Sequence, residues 1–122
     1  MKKPSEIRVV IIEDSTRWQE AAKIILEELG VTVVAIVADF LTATQDTIPK
    51  LEQLGVSYVL LDANLTEGEN GGYEGEEMEE QIRKQAKAVK IIGFSMLDQA
   101  YADIEMGKPG LTKEALKRAM GI

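Results

Sequence analysis

Short aliphatic runs alternate along the chain with longer segments in which apolar residues recur every three or four positions. The runs predict buried strands, and they span Ile7–Ile12, Thr32–Val37, Tyr58–Leu61 and Lys90–Phe94. The longer segments predict helices over Ser15–Leu29, Phe40–Leu54 and Glu76–Lys87, followed by a last helix that Thr112 caps. This alternation favours a parallel sheet with helices on both faces.

The helical spacing also predicts which side chains face the core. The expected core residues are Trp18, Ala22, Ile25 and Leu29, then Leu41, Ile48 and Leu51, then Met78, Ile82 and Ala86, and finally Ala115, Leu116 and Ala119. Gly30 suits the position that ends the first helix. Pro49 lies inside the second helix and predicts a kink or a broken start there.

Length restricts the architecture. The 122 residues suffice for one domain, 1–122, and we find no repeat or linker within them. An eight-stranded parallel barrel needs roughly 200 residues or more. We therefore expect an open doubly wound sheet of flavodoxin-like order 2-1-3-4-5, with ligands beyond the carboxyl ends of the strands.

Composition removes several classes of chemistry. The chain has no cysteine and no histidine, which excludes disulfides, thiolate metal sites and an internal histidine base. No secretory signal or membrane-length apolar run is visible, so we expect a cytoplasmic protein that does not bind membranes. The net charge of −7 disfavours nucleic-acid binding, whereas carboxylates suit hard cations such as Mg2+.

Polar residues follow the predicted strands at their carboxyl ends. Glu13 and Asp14 follow the first strand, Asp62 the third and Ser95 the fourth, while Lys108 precedes the last helix. Each has an ordinary explanation alone: Asp14 or Ser15 as a helix cap, Asp62 at a loop entry, Ser95 capping a turn, and Lys108-Pro109-Gly110 as a turn. In the expected sheet order, however, all of them converge on one pocket.

The chemistry of such a pocket is coherent. Three neighbouring carboxylates raise one another's pKa values, and a divalent cation such as Mg2+ relieves their repulsion. Lys108 adds a second positive charge. Asp62 can then act as a nucleophile toward phosphorus and form an aspartyl phosphate, because phosphoryl transfer needs mainly positioning and charge neutralisation.

Four motifs resemble the receiver domains of two-component response regulators: VVIIEDS, YVLLD, IIGFS and GKPG. The resemblance covers essentially the whole chain and implies a site role for each matching residue. Asp62 would be the phosphoacceptor, Asp14 a direct Mg2+ ligand and Glu13 a ligand through water. The backbone carbonyl of Asn64 would complete the coordination, and Ser95 and Lys108 would each contact a phosphoryl oxygen.

The resemblance also implies a function. A histidine kinase or histidine phosphotransfer protein would phosphorylate Asp62, and the added charge would change affinity for an unknown downstream protein. The domain would not be an enzyme beyond its own phosphoryl transfer and aspartyl-phosphate hydrolysis. The family often has a cis peptide bond at the Lys-Pro step, so we expect one before Pro109.

Three features depart from the family. Only 12 residues, Met96–Gly107, separate Ser95 from Lys108, so the fourth helix, the fifth strand or both must be truncated. Tyr101 is the only aromatic residue near the family's switch position, and its register fits poorly. Met96 follows Ser95 where the family prefers a small residue, which predicts a narrowed pocket.

Two alternatives stay open. The shortened region is compatible with a pseudo-receiver, a protein-interaction module that works without phosphorylation. Asp62-Ala63-Asn64-Leu65-Thr66 also weakly resembles the Asp-x-Asp-x-Thr motif of haloacid-dehalogenase-type phosphatases. In that motif, however, Asn64 replaces the second aspartate, and the motif follows the third strand rather than the first.

Overall fold

The computed structural model describes residues 3–63, 65, 73–96 and 98–122. A short 3-10 turn at Pro4–Glu6 precedes the sheet. The strands are β1 (Arg8–Ile12), β2 (Thr32–Val37), β3 (Tyr58–Leu61), β4 (Lys90–Gly93) and β5 (Ile104–Glu105). The α-helices are α1 (Thr16–Glu28), α2 (Phe40–Thr42), α3 (Tyr73–Gln85) and α4 (Lys113–Met120). Within the described residues, none of the helices is both long and apolar enough to cross a bilayer.

The five strands form one parallel sheet of order β2-β1-β3-β4-β5, which confirms the predicted fold class. Backbone pairing continues one residue past three strands: Glu13 N–H donates to Val37 O (2.9 Å), Asp62 N–H to Ile12 O (3.0 Å) and Phe94 N–H to Leu61 O (2.9 Å). The sheet therefore fixes the backbone of the residues that follow β1, β3 and β4.

Side chains from alternate strand positions form two cores, one on each face of the sheet. Val10, Val59 and Ile91 lie on the face covered by α3 and the segment after β2. Ile11 and Leu60 lie on the other face, with α1 and α4. Each fully buried aliphatic side chain contributes about 1.5–3 kcal/mol to folding, so β1 and β3 are firmly held.

The helix after β2 is interrupted near Pro49, as the sequence predicted. It is irregular, because a π-helical stretch at Ala43–Thr47 and a 3-10 turn at Ile48–Lys50 follow α2. Pro49 lies in the 3-10 turn, where its missing N–H is tolerated. The changed periodicity buries Ala43 and leaves Leu41 62% exposed, so Leu41 is not a core residue.

The connection between β4 and β5 is short, as predicted. Of its described residues, 94–96 and 98–103, none is helical, and β5 has only two residues. Both expected truncations therefore occur together. Arg83 of α3 donates to Asp103 (2.8 Å), and Asp103 accepts from Ile91 N–H (2.7 Å), which ties this connection to α3 and β4.

Candidate metal and phosphoacceptor site

Three carboxylates meet at the carboxyl edge of the sheet. One ligand oxygen each from Glu13, Asp14 and Asp62 lies within 4.8 Å of the other two. Glu13 and Asp62 are buried, and Asp14 is half-buried. The continued pairing of β1 with β2 and β3 puts these acids side by side, so the sequence-predicted cluster is present.

Lys108 reaches the same cluster from the far end of the chain. Its Nζ donates to Glu13 Oε1 at 2.8 Å and to Asp62 Oδ2 at 3.4 Å. Lys108 is only 8% exposed, so these bonds form largely away from water. The sequence prediction that the lysine and the acids share one pocket agrees with this geometry.

A tight turn directs Lys108 toward the acids. Lys108 N–H donates to Ser95 O (3.0 Å) and Leu111 N–H to Lys108 O (3.1 Å). Gly110 must lack a side chain, because a Cβ there would lie 2.6 Å from Met106 O. The peptide bond before Pro109 is trans, so the predicted cis bond is wrong; the trans turn already closes with both hydrogen bonds.

Burial shifts the proton affinities of two site residues. Burial, together with the neighbouring Asp62 carboxylate, raises the pKa of Glu13 from 4.5 to about 7, against the opposing effect of Lys108. Burial tends to lower the pKa of Lys108, but the bond to Glu13 and the charges of Asp62 and Glu13 outweigh it and raise that pKa. The lysine therefore stays charged at neutral pH.

Ser95 and Asn64 are the two remaining residues of the predicted site. Ser95 is buried at the end of β4, next to the turn that carries Lys108. Asn64, whose carbonyl was a predicted metal ligand, lies outside the described residues. Met96 directly follows Ser95 and is 69% exposed, and its narrowing of the pocket stays a prediction.

The cap of α1 is Ser15 rather than Asp14. Ser15 Oγ accepts from Trp18 N–H (3.5 Å), while Ser15 N–H donates to Glu13 Oε1 (3.2 Å). Asp14 is therefore not needed as the cap of α1, and the ordinary explanation offered for it does not hold.

Sequence reasoning missed two aromatic neighbours of the lysine. Lys108 Nζ lies 5.8 Å from the ring centroid of Trp18 and 5.9 Å from that of Phe94. The two rings meet edge to face with centroids 5.8 Å apart. Helical spacing identified Trp18 only as a core residue; its place in the first turn after Asp14 was the available signal.

Gln99 is a buried residue near the site that the sequence analysis did not identify. Gln99 Nε2 donates to Leu61 O (2.7 Å), directly before Asp62, and to the Tyr101 hydroxyl (2.8 Å). Gln99 is fully buried, and a Cβ at Gly93 would lie 2.8 Å from Gln99 Oε1. Tyr101 is thus joined to the backbone of β3, a link that its sequence position gave no reason to expect.

Solved structures with this architecture match nearly the whole chain. A CheY-like receiver domain from Methanospirillum hungatei JF-1 is 22% identical (TM-score 0.73; 94% of this chain, 90% of that one). A chain of the CheX–CheY–BeF3–Mg2+ complex from Borrelia burgdorferi is 20% identical (TM-score 0.74; 98% and 97%). The signal receiver domain of a modulated diguanylate cyclase from Desulfovibrio desulfuricans G20 is 18% identical (TM-score 0.73; 93% and 90%).

The chain has the receiver-domain fold. At these identities the likeness concerns the fold, and no protein-family model and no curated protein matches the chain. The receiver fold agrees with the resemblance found in the sequence. The acidic cluster of this receiver fold offers a set of ligands for a metal ion.

Proposed function

We propose that this chain is a phosphoacceptor signalling domain that takes a phosphoryl group onto Asp62 with the help of Mg2+. One observation carries the proposal: Glu13, Asp14 and Asp62 converge within 4.8 Å, and the Lys108 ammonium contacts two of them. The receiver fold supports it, since the CheX–CheY complex among its structural neighbours is described with BeF3 and Mg2+.

The residues present fit a hard divalent cation. Glu13 Oε2 is buried and accepts no hydrogen bond from any residue that the structure describes, so it is an oxygen in need of a partner. Three carboxylates match the oxygen-ligand preference of Mg2+. Asp14 and Asp62 would bind it directly, Glu13 through water, and Asn64 through its carbonyl. When bound, Mg2+ neutralises charge on the transferring phosphoryl oxygens.

The transfer itself uses an Asp62 oxygen. Its lone pair attacks phosphorus, the new O–P bond forms, and the bond from phosphorus to the donor breaks, with that bond's electron pair leaving on the donor group. Ser95 and Lys108 would hold two of the phosphoryl oxygens. Because the sequence contains no histidine, a phosphohistidine donor has to come from outside it, namely a histidine kinase or phosphotransfer protein.

The products define the protein's role. Asp62 phosphate adds charge and acceptor oxygens, and these would change the affinity for a downstream protein. The chain would turn over no separate substrate; it would catalyse only its own phosphorylation and dephosphorylation. The net charge of −7 argues against nucleic acid as the partner, and we infer a cytoplasmic protein with protein partners.

Intact mass measurement after incubation with acetyl phosphate and Mg2+ tests the proposal. The parent protein should gain the mass of one phosphoryl group, and Asp62→Asn should not. Asp46→Asn is the matched control, because Asp46 is 60% exposed and pairs only with nearby Lys50 among the contacts described. No gain in the parent, or an equal gain in Asp62→Asn, would contradict the proposal.

The pseudo-receiver alternative makes a different prediction for beryllium fluoride. A phosphorylation-independent module has no reason to bind this phosphoryl analogue. The proposed function requires Mg2+-dependent binding, visible as NMR shifts around Asp62 and Ser95. If the parent shows no such shifts at saturating Mg2+, the shortened β4–β5 region would favour the alternative.

A further inference from the structure

The Lys108 ammonium has neighbours of two kinds. Carboxylate oxygens of Glu13 and Asp62 lie 2.8 and 3.4 Å from Nζ. The rings of Trp18 and Phe94 lie at 5.8 and 5.9 Å, within the range of a cation–π contact. Lys108 is 8% exposed, so water screens neither set of contacts strongly.

We propose that Trp18 is a positioning residue for Lys108: its ring holds the ammonium at the site when the carboxylates turn to a metal ion and a phosphoryl group. This inference rests on the proposed function. Trp18 touches neither the cation nor the phosphoryl group in this scheme; it acts through the lysine.

In the proposed function, Mg2+ and Lys108 compete for the same carboxylates. Lys108 is held by Glu13 and Asp62, which are the same groups that the proposed site gives to Mg2+ and to phosphorus. A bound divalent cation weakens the attraction between those oxygens and the ammonium, because it is the larger charge nearby. An aromatic face is not a ligand for Mg2+, so its attraction for Lys108 persists.

Trp18 is the better placed of the two rings for a test. Phe94 is fully buried in the core between the sheet and α1, so replacing it disturbs folding. Trp18 is half-buried in the first turn of α1, where its backbone N–H donates to the side chain of the capping residue Ser15. Arg17 lies 5.8 Å from the same indole but is exposed, and it provides a control for surface charge.

The main experiment compares Trp18→Phe, Trp18→Leu and Arg17→Met with the parent. Phenylalanine keeps an aromatic face, whereas leucine keeps an apolar side chain without one. We expect Trp18→Leu to slow Asp62 phosphorylation by acetyl phosphate about 3- to 10-fold at saturating Mg2+. Trp18→Phe should recover most of the rate, Arg17→Met should leave it unchanged, and Mg2+ affinity should stay within about 2-fold in all three.

A second set of measurements changes the electron density of the ring and reads the position of the lysine directly. Because Trp18 is the only tryptophan, growth on fluorinated tryptophans changes this ring alone and weakens its negative face without removing it. The phosphorylation rate should fall stepwise with the number of fluorines. In the metal-free protein, the Lys108 Hε resonances should lie upfield in the parent and move toward random-coil values in Trp18→Leu.

The outcomes separate this inference from the proposed function. A parent that is never phosphorylated contradicts the proposed function, while unshifted Lys108 resonances in that parent contradict the positioning role. Equal rates in parent and Trp18→Leu would overturn the inference. So would equal losses in Trp18→Phe and Trp18→Leu, since a role in packing alone does not depend on the aromatic face.

Discussion

Lys108 and Glu13 form an ion pair that is closed off from water, with side chains 9% and 0% exposed. Such a pair gains strong attraction but loses the hydration of both ions, so it is weak evidence for added stability. Removing one partner is different, because an uncompensated charge then stays buried. Lys108 therefore compensates negative charge at the site, and a second cation that binds there can take over that role.

Lys108→Met should expose this dependence. Without the ammonium, two buried carboxylates face each other, and the free energy of unfolding should fall by about 3 kcal/mol in the absence of metal. Saturating Mg2+ should restore much of that loss, since the cation takes the place of the ammonium. Urea unfolding with and without Mg2+ measures both effects.

Lys50→Met is the control for this prediction. Lys50 is 53% exposed and pairs with Asp46, so its loss should cost about 0.5 kcal/mol or less and should not depend on Mg2+. If Mg2+ stabilises Lys108→Met no more than it stabilises the parent, the two cations do not compete for the same carboxylates.

The sequence predicted the meeting of those site residues that directly follow a strand, and it did not predict contacts that depend on how other elements pack. Glu13, Asp14, Asp62 and Ser95 follow strands, and parallel strands end at one edge, so their meeting could be predicted. The contact of Lys108 with Trp18 depends on how α1 packs against the turn before α4. No periodicity encodes that distance, and the same is true of the bond from Gln99 to Leu61 O.

At the scale of elements, α3 packs so closely on the end of β3 that it needs a glycine. Gly75 N–H donates to Ala63 O (2.9 Å), and a Cβ at Gly75 would lie 2.8 Å from Ala63 Cα and against the Tyr101 hydroxyl. The Ala63 contact is with backbone, which cannot rotate away. Helix α3 is therefore held against the segment that leads out of Asp62.

Gly75→Ala should destabilise the protein, opposite to the usual effect in a helix. Alanine normally gains about 0.5–1 kcal/mol over glycine there. Here we expect a loss of about 1–3 kcal/mol, because the clash is with backbone. Thermal or urea unfolding decides the sign. Glu77→Ala, an exposed position of the same helix, should change stability by about 0.5 kcal/mol or less.

Asp103 stabilises the β4–β5 connection, and its contribution to the free energy of unfolding should vary with pH. Burial works to raise the pKa of Asp103, but the bonds from Arg83 and Ile91 N–H outweigh it, so the folded pKa lies below the ordinary value of 3.8. A lowered folded pKa gives stability that is present above 3.8 and is lost as pH falls through the folded value.

Asp103→Asn should therefore cost about 1–2 kcal/mol at pH 7, as expected for charge-assisted hydrogen bonds of a partly exposed group. The difference between parent and variant should shrink as the pH is lowered through the folded pKa of Asp103. Urea unfolding of both proteins at several pH values measures it. A difference that is the same at pH 7 and in strong acid would show that the carboxylate charge contributes nothing.

The predicted elements match the structure where the spacing of apolar residues is regular, and they differ from it where that spacing changes. The ranges of β2 and β3 match the predicted strands, and Met78, Ile82 and Ala86 are buried as α3 spacing requires. Leu41 was misplaced because the π-helical stretch shifts the periodicity by part of a turn. Length alone correctly predicted the truncation between β4 and β5 but not the Gln99 and Asp103 contacts that stabilise it.

At the scale of the whole molecule, repulsion among the acidic residues of the cluster opposes folding. The net charge of −7 already disfavours a compact state, and three acids at one edge add to this locally. A cation that binds only the folded protein offsets the repulsion through mass action. The stability of the whole domain should thus report occupancy of one site.

Mg2+ should raise the melting temperature of the parent, and Asp14→Asn should change this response in two ways. At a concentration about 100 times the Kd, binding adds about 2.7 kcal/mol, or roughly 10 °C for a domain of this size. Metal-free Asp14→Asn should be at least as stable as the parent, because one repelling charge is gone. Its Mg2+-induced shift should be much smaller at the same concentration, since a ligand is lost.

Asp46→Asn removes the same formal charge at an exposed position outside the cluster. It should therefore keep the parent's full Mg2+ response in calorimetry, so any difference between the two variants belongs to the site and not to net charge. If Asp14→Asn keeps the full shift as well, the cation that stabilises the fold is bound elsewhere. In that case the convergence of the acids would not be what couples Mg2+ to stability.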